Sequence, residues 1–164
     1  MPHNKIITIG MIIIIVVLIS MTVSAVENRP VQISLFTPIQ IFPESDPVGG
    51  LRINFLYGRS STVVGLDFGL VNHATTGMSM GYQLGMVGLV DADFKGFQSN
   101  LVNYTKGYFE GFQWGLFNHA GNASGFQLGI VNYAQSMHGL QIGLVNIIKQ
   151  GGQFPVFPIV NWSF

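Results

Sequence analysis

The segment GFQLGIVN at residues 125–132 returns as GLQIGLVN at residues 139–146. Four further copies precede these two, and they begin at Gly65, Gly81, Gly96 and Gly111. The first glycines of successive copies are 16, 15, 15, 14 and 14 residues apart. Six copies at this spacing predict a repeat architecture, in which each unit packs on its neighbours.

Each unit alternates between apolar and polar or small residues. Numbered from its first glycine, it has large apolar residues at positions 2, 4 and 6, and mostly Gly, Gln and Gly at positions 1, 3 and 5. Period two is typical of a strand with one buried face. We therefore expect positions 2, 4 and 6 to fill the core and position 3 to face solvent. By the same rule, Asp67, which replaces Gln at position 3, is expected to be exposed.

The rest of the unit adds two weaker signals. The Asn at position 8 tolerates left-handed backbone and is expected to turn the chain. Position 10 is small in four copies, and an apolar residue returns near position 13 or 14, as at Met78, Phe94, Phe109 and Met137. These later positions are expected inside a coil and have no explanation in a barrel turn.

Two all-β architectures fit a unit of 14–16 residues: a β-solenoid of about seven coils with an N-terminal cap, or a small up-and-down outer-membrane β-barrel of about eight strands. Identical amides at one position of every copy favour the solenoid, because only parallel strands align them into side-chain ladders. Pro155 and Pro158 favour it too, since a closed barrel has no edge strand to hold them. The predicted ladder residues are Gln83, Gln98, Gln113, Gln127, Gln141, Asn72, Asn103, Asn118, Asn132 and Asn146.

The barrel has support of its own. Strands of about ten residues suit a membrane crossing, and aromatic residues recur near the strand ends, as in interfacial girdles. The chain ends on Phe164, with Trp162 and Val160 on the same alternation. The alternative therefore stays open on the sequence alone.

The N-terminal segment is typical of an export signal. Residues 6–19 are apolar except for Thr8 and Gly10, and Val23 and Ala25 fit a small-residue cleavage site. We expect a signal peptide at 1–25 and a single β-repeat domain at 26–164. Within that domain, 26–62 forms the N-terminal cap and leading strands, 63–148 the tandem repeats and 149–164 the C-terminal cap strand.

Composition and motifs offer little chemistry. The chain has seven basic and seven acidic side chains and no cysteine, which argues against nucleic-acid partners and excludes disulfides and Cys-ligated metals. No nucleophile, phosphate-loop or zinc motif is present. We therefore expect the protein to have no cofactor, no metal site and no enzymatic activity. His73 and His119 share position 9 but stand three rungs apart, and Asp91 with Asp93 is a weak calcium signature more typical of a charged turn.

The tandem G-[FL]-Q-[LI]-G-[LIV]-V-N units, together with the ending at residues 157–164, resemble a functionally uncharacterised family of exported bacterial surface-repeat proteins. The likeness covers roughly residues 31–164; the third unit departs from it at Ser99 and Asn100. It implies a location at the bacterial cell surface or outer membrane after Sec-type export, and supplies no catalytic residues. We expect a non-enzymatic structural or interaction module that contacts a protein or carbohydrate, or associates with a membrane.

Overall fold

The structure is a computed structural model that describes residues 28–164, and every regular element in that range is a β-strand. The expected signal peptide at 1–25 lies outside the described residues. The strands are β1 (Arg29–Phe36), β2 (Ile39–Gln40), β3 (Val48–Ser60), β4 (Val63–Ala74), β5 (Met78–Val90), β6 (Asp93–Trp114), β7 (Phe117–Leu128), β8 (Val131–Gln150) and β9 (Val156–Ser163).

The strands stack into a β-solenoid of about eight turns. β1, β3, β4, β5, β6, β7 and β8 follow one another as parallel neighbours, and each pairs one repeat further along the chain: Gly65 lies opposite Gly81, and Gly81 opposite Gly96. The predicted solenoid is therefore confirmed. The barrel alternative is wrong, because neighbouring strands of an up-and-down barrel run antiparallel.

Both ends of the stack carry an antiparallel strand. β2 pairs with β1, and β9 pairs with β8 with Gln141 opposite Asn161. β9 is the last strand in the sheet order, and Pro158 within it has no backbone N–H to give to a further strand. The stack therefore ends where the chain reverses direction.

The two faces of each strand are the reverse of what the alternation predicted. Every glutamine at position 3 from Gln83 to Gln141 is buried, as is Asp67 at 3% exposure. The large apolar residues at positions 2, 4 and 6 point outward, and Trp114, Phe126 and Leu144 are 56%, 50% and 69% exposed. The expectation that these apolar positions fill the core, with glutamine and Asp67 outside, is wrong. A side chain that hydrogen-bonds to its copy in the next coil loses little by burial.

The hydrophobic core occupies the other part of each coil, at positions 10 and 13–14. Its members come from several coils and are packed in one cluster: Ala74, Val90, Phe94, Phe109, Ala120, Ala123, Ala134, Met137 and Ile148. The predicted apolar spots at these positions are therefore confirmed for Phe94, Phe109 and Met137. Met78 is the exception, since it is exposed and Ser79 beside it is buried.

Glycine at position 1 is required by the stacking. Gly111 has φ +134°, and a Cβ on it would overlap the carbonyl oxygen of Gly96 in the coil below. The Asn at position 8 does not adopt the left-handed backbone on which its expected turn depends, because Ile159 is the single non-glycine residue of the described range with positive φ. Strands break at positions 5 and 6 in two units, at residues 115–116 and 129–130, and from position 11 in two others, at residues 75–77 and 91–92.

Substitutions at two neighbouring residues, Gln127 and Leu128, test which face of the strand is buried. Gln127→Asp places a charge in the buried ladder beside the Gln113 carbonyl oxygen and should destabilise the fold by about 3 kcal/mol or more. Leu128→Asp changes a side chain that is 37% exposed and should cost less than about 1 kcal/mol. Thermal melts of both variants measure the difference, and equal losses would contradict the observed faces.

Candidate functional site

The glutamines at position 3 form one continuous hydrogen-bonded ladder through the interior. Each Nε2 donates to the Oε1 of the glutamine one coil earlier, at 2.9 Å for Gln98 to Gln83, 2.8 Å for Gln113 to Gln98, 2.6 Å for Gln127 to Gln113 and 2.7 Å for Gln141 to Gln127. The later glutamines also donate across their own coil, as from Gln141 Nε2 to the Ile147 carbonyl at 3.1 Å. Each of these glutamines is thus tied to the coil below it, and from Gln113 onward also to a backbone carbonyl of its own coil.

The ladder ends at a buried ion pair that the sequence reasoning missed. Gln83 Nε2 donates to Asp67 Oδ2 at 2.9 Å, and Arg52 donates to both carboxylate oxygens of Asp67, at 2.7 and 2.8 Å. Arg52 is fully buried and also donates to the His73 carbonyl at 2.9 Å. A carboxylate only accepts hydrogen bonds, so it suits the end of a chain whose amides all donate toward it. An Arg and an Asp at the same position of successive units were the available signal.

The asparagines at position 8 form a second ladder of opposite polarity. Asn103, Asn118 and Asn132 each donate through Nδ2 to the Oδ1 of the asparagine one coil later, at 2.8 Å. Each Nδ2 also donates to a backbone carbonyl of the next coil, as Asn118 does to Leu128 at 3.0 Å. The predicted ladder residues are therefore brought together in two columns inside the stack.

Glycine replaces asparagine twice in this column, and a position-5 asparagine fills the space each time. A Cβ on Gly88 would overlap Gln83 Oε1 and lie 2.5 Å from Asn100 Nδ2, and one on Gly58 would overlap the Asn54 amide. Asn100 donates to Asn103 Oδ1 at 2.7 Å, and Asn54 donates to Asn72 Oδ1 at 2.7 Å. The side chains of Asn54 and Asn100 thus occupy the space that an asparagine at position 8 would fill.

The outside of the array is divided into an apolar and a charged side. We define the apolar ridge as positions 2, 4, 6 and 7 of the six coils that begin at Gly65, Gly81, Gly96, Gly111, Gly125 and Gly139. None of these positions is charged, and only Ser99 is not hydrophobic. The other charges of residues 63–150, apart from buried Asp67, stand at positions 11, 13 and 15: Asp91, Asp93, Lys95, Lys106, Glu110 and Lys149.

Position 6 is the crest of the apolar ridge. Its side chains are 43–69% exposed in all six coils, and the strands break here in two of them. Positions 2, 4 and 7 form the flanks on either side. Contiguous exposed apolar surface of this extent is typical of an interaction site, so the ridge is the candidate functional site of the molecule.

A groove interrupts the apolar ridge where the sequence departs from the repeat. Ser99 lies between Leu84 and Trp114 in the position-4 row, and its small side chain leaves a groove of about 370 Å³. Leu101 and Leu116 on the crest complete its apolar wall. The volume is at the small end for ligand pockets, which are about 300–1,000 Å³.

The outer aromatic residues stack along the rod axis. Tyr82 and Phe97 have ring centroids 4.8 Å apart at 2°, and Tyr104, His119 and Tyr133 form another column with spacings of 4.4 and 4.8 Å. Ring faces in such columns cover one another and offer mainly their edges to an incoming molecule. A sugar bound by ring stacking needs a free ring face, so these columns are poorly suited to carbohydrate.

The titratable candidates are spread along the stack. His73 and His119 are three coils apart in the register, as expected. His73 Nε2 lies 2.8 Å from Asp91 Oδ2, and Asp93 Oδ1 accepts from the Tyr108 amide at 2.7 Å. Within residues 28–164 no group of three or more His, Asp or Glu side chains could hold a metal ion.

No protein-family model matches this chain, and no curated protein or solved structure matches it. The same described range holds no helix long and apolar enough to cross a membrane. The geometry of residues 28–164 is therefore the basis for assigning a function.

Exchange of the ion pair tests how the glutamine ladder ends. Asp67→Gln leaves the buried Arg52 charge without a partner and should cost about 3–5 kcal/mol. Arg52→Gln combined with Asp67→Gln extends the glutamine ladder by two rungs and should recover most of that loss. Urea denaturation of the two single variants and the double variant gives the coupling energy; strictly additive losses would contradict this account.

His119 should make stability depend on pH. Burial between Tyr104 and Tyr133 lowers the pKa of His119 from its usual value of 6.5. As the pH falls below about 6.5, the unfolded chain binds the proton before the folded chain does, so this residue reduces stability until its folded pKa is reached. Denaturation of His119→Phe between pH 7 and pH 5 should show a smaller loss than the unsubstituted protein, and an unchanged slope would refute the assignment.

Proposed function

We propose that this chain is an exported, non-enzymatic repeat protein that acts at the cell surface or envelope as an interaction module, with the apolar ridge as its contact surface. The observation that carries the proposal is the reversed arrangement of the coil. Polar amides occupy the interior, while an uncharged apolar surface runs along the outside of six coils. An apolar surface that is not needed for the core is available for a partner.

The distribution of charge and chemistry supports a binding role. Charged side chains stand on the side away from the ridge, where Lys95 and Glu110 pair at 2.8 Å. This leaves the ridge suited to an apolar partner and leaves residues 63–150 without a basic surface that could bind nucleic acid. Within residues 28–164, His73 with Asp91 is the single contact of a histidine with an acid, and no larger group of such side chains is assembled there, which supports a non-enzymatic role.

Export and the ridge can be tested together in producing cells. The unsubstituted chain should be recovered with the envelope. Ile130→Glu combined with Leu144→Glu adds two charges to exposed crest positions, and should shift most of the protein to the medium without changing its melting temperature by more than about 5 °C. Immunoblots of the cytoplasm, envelope and medium measure the distribution.

Gln135→Glu is the matched control, because it adds a negative charge at an exposed position 11, outside the ridge. This variant should remain with the envelope. Retention of the protein in the cytoplasm would contradict export, and equal envelope retention of the crest variant would contradict the ridge as the contact surface.

A further inference from the structure

We propose that the partner of the apolar ridge is the acyl layer of a lipid leaflet, in which the solenoid lies on its side with the crest inserted. This inference rests on the proposed function in taking the ridge as the contact surface. It adds the chemical class of the partner and the orientation of the molecule.

Shape separates a lipid layer from a second copy of the chain. Position 6 is on average the most exposed row, and strand pairing is interrupted there between positions 5 and 7, so this row lies at a corner of the coil with the flanking rows on either side. Over six coils at about 4.8 Å each, the crest runs roughly 29 Å. Two convex crests of this kind meet along a line, which cannot bury the roughly 800 Å² per partner of a standard interface. A fluid acyl layer instead conforms to both flanks.

Charge separates an acyl layer from a charged headgroup surface. The ridge carries neither Lys nor Arg, and the exposed charges of the array stand at positions 11–15. Insertion of the crest therefore takes no charged side chain into hydrocarbon, and anionic lipid offers no electrostatic gain. Binding should consequently need no anionic lipid and should persist at high salt, unlike binding by a basic patch.

The borders of the ridge suit the boundary between hydrocarbon and water. The column of Tyr104, His119 and Tyr133 at position 9 lies just beyond position 7, and its members are half-buried. Tyrosine rings with an apolar body and a polar hydroxyl are enriched at this depth of a membrane. A crest of Leu, Ile and Met in hydrocarbon would place this column at the interface.

The groove at Ser99 fits the same partner. Its walls are Leu84, Leu101, Trp114 and Leu116, and it opens on the ridge itself. An acyl chain of the leaflet can occupy it, whereas a rigid partner would need a matching projection. Trp114 lies in this wall at 56% exposure, so its fluorescence reports entry of the ridge into lipid.

The test uses the full chain, so that residues 1–27 are common to every variant. The purified protein is sedimented with phosphatidylcholine vesicles, with and without added phosphatidylglycerol, at low and at high salt. We expect binding that is independent of phosphatidylglycerol and of salt. Ile130→Glu with Leu144→Glu should reduce the bound fraction about tenfold or more, since each charge must enter the layer, and Gln135→Glu should bind like the unsubstituted chain.

Fluorescence adds a measure of depth. Phosphatidylcholine brominated on its acyl chains should quench Trp114 in a Trp162→Phe variant, and should quench the remaining Trp162 of Trp114→Phe much less. Equal quenching of the two, equal binding by the crest variant, or no vesicle binding by the unsubstituted chain would overturn the lipid inference.

The outcome also separates this inference from the proposed function. Envelope retention that depends on the ridge, combined with no binding to vesicles, would overturn the lipid assignment and leave the interaction module standing. In that case a lipid-free dimer that the crest substitutions abolish, measured by analytical ultracentrifugation, would assign the ridge to a second copy of the chain. Failure of envelope retention would instead count against the proposed function.

Discussion

The amide hydrogen bond from one coil to the next is the interaction on which the rest of the structure depends. Gln127 can donate to Gln113 at 2.6 Å only if the two residues lie directly opposite each other, and the register of the parallel strands places them so. That requirement fixes the interior polarity of the coil, which in turn sends the large apolar residues outward. It also brings backbones close together at the glycine rows. A Cβ on Gly129, at position 5, would lie 2.6 Å from Asn118 Nδ2.

Much of the architecture could be predicted from the sequence, because identical residues at identical positions have one simple physical meaning. Repeated Gln at position 3 implied parallel stacking, and Phe94, Phe109 and Met137 indicated the apolar part of the interior. The face could not be predicted from alternation alone. A period of two indicates that a strand has two different faces, but it does not indicate which face is buried. The usual preference for burying apolar residues predicted the wrong face here. A ladder in which every amide is paired removes the penalty on which that preference depends.

The candidate site was hidden by the same error, since its residues were assigned to the core. One signal was present: position 4 varies among Phe68, Leu84, Ser99, Trp114, Leu128 and Ile142. A close-packed interior would not tolerate Ser and Trp in one row. Position 3, in contrast, stays Gln from Gln83 onward. Variation in size at one position of a repeat indicates exposure, whatever the hydrophobicity of the residues.

The polarity of the glutamine ladder has a consequence for how such a chain can change in length. Each glutamine donates one amide N–H in the direction of Asp67, and the last side-chain carbonyl, Gln141 Oε1, is buried without a partner within the described part of the chain. The two ends differ in chemistry. Every glutamine between them directs an amide N–H toward the coil before it and a carbonyl oxygen toward the coil after it. Gain or loss of one complete unit between Gln98 and Gln141 would therefore join an existing donor to an existing acceptor. A change in length within positions 1–10 would shift the glycine rows against the amides, whereas units of 14 to 16 residues keep their glycines opposite one another because the later positions take up the difference. Duplication or deletion in the gene is accordingly compatible with the fold in steps of one whole coil.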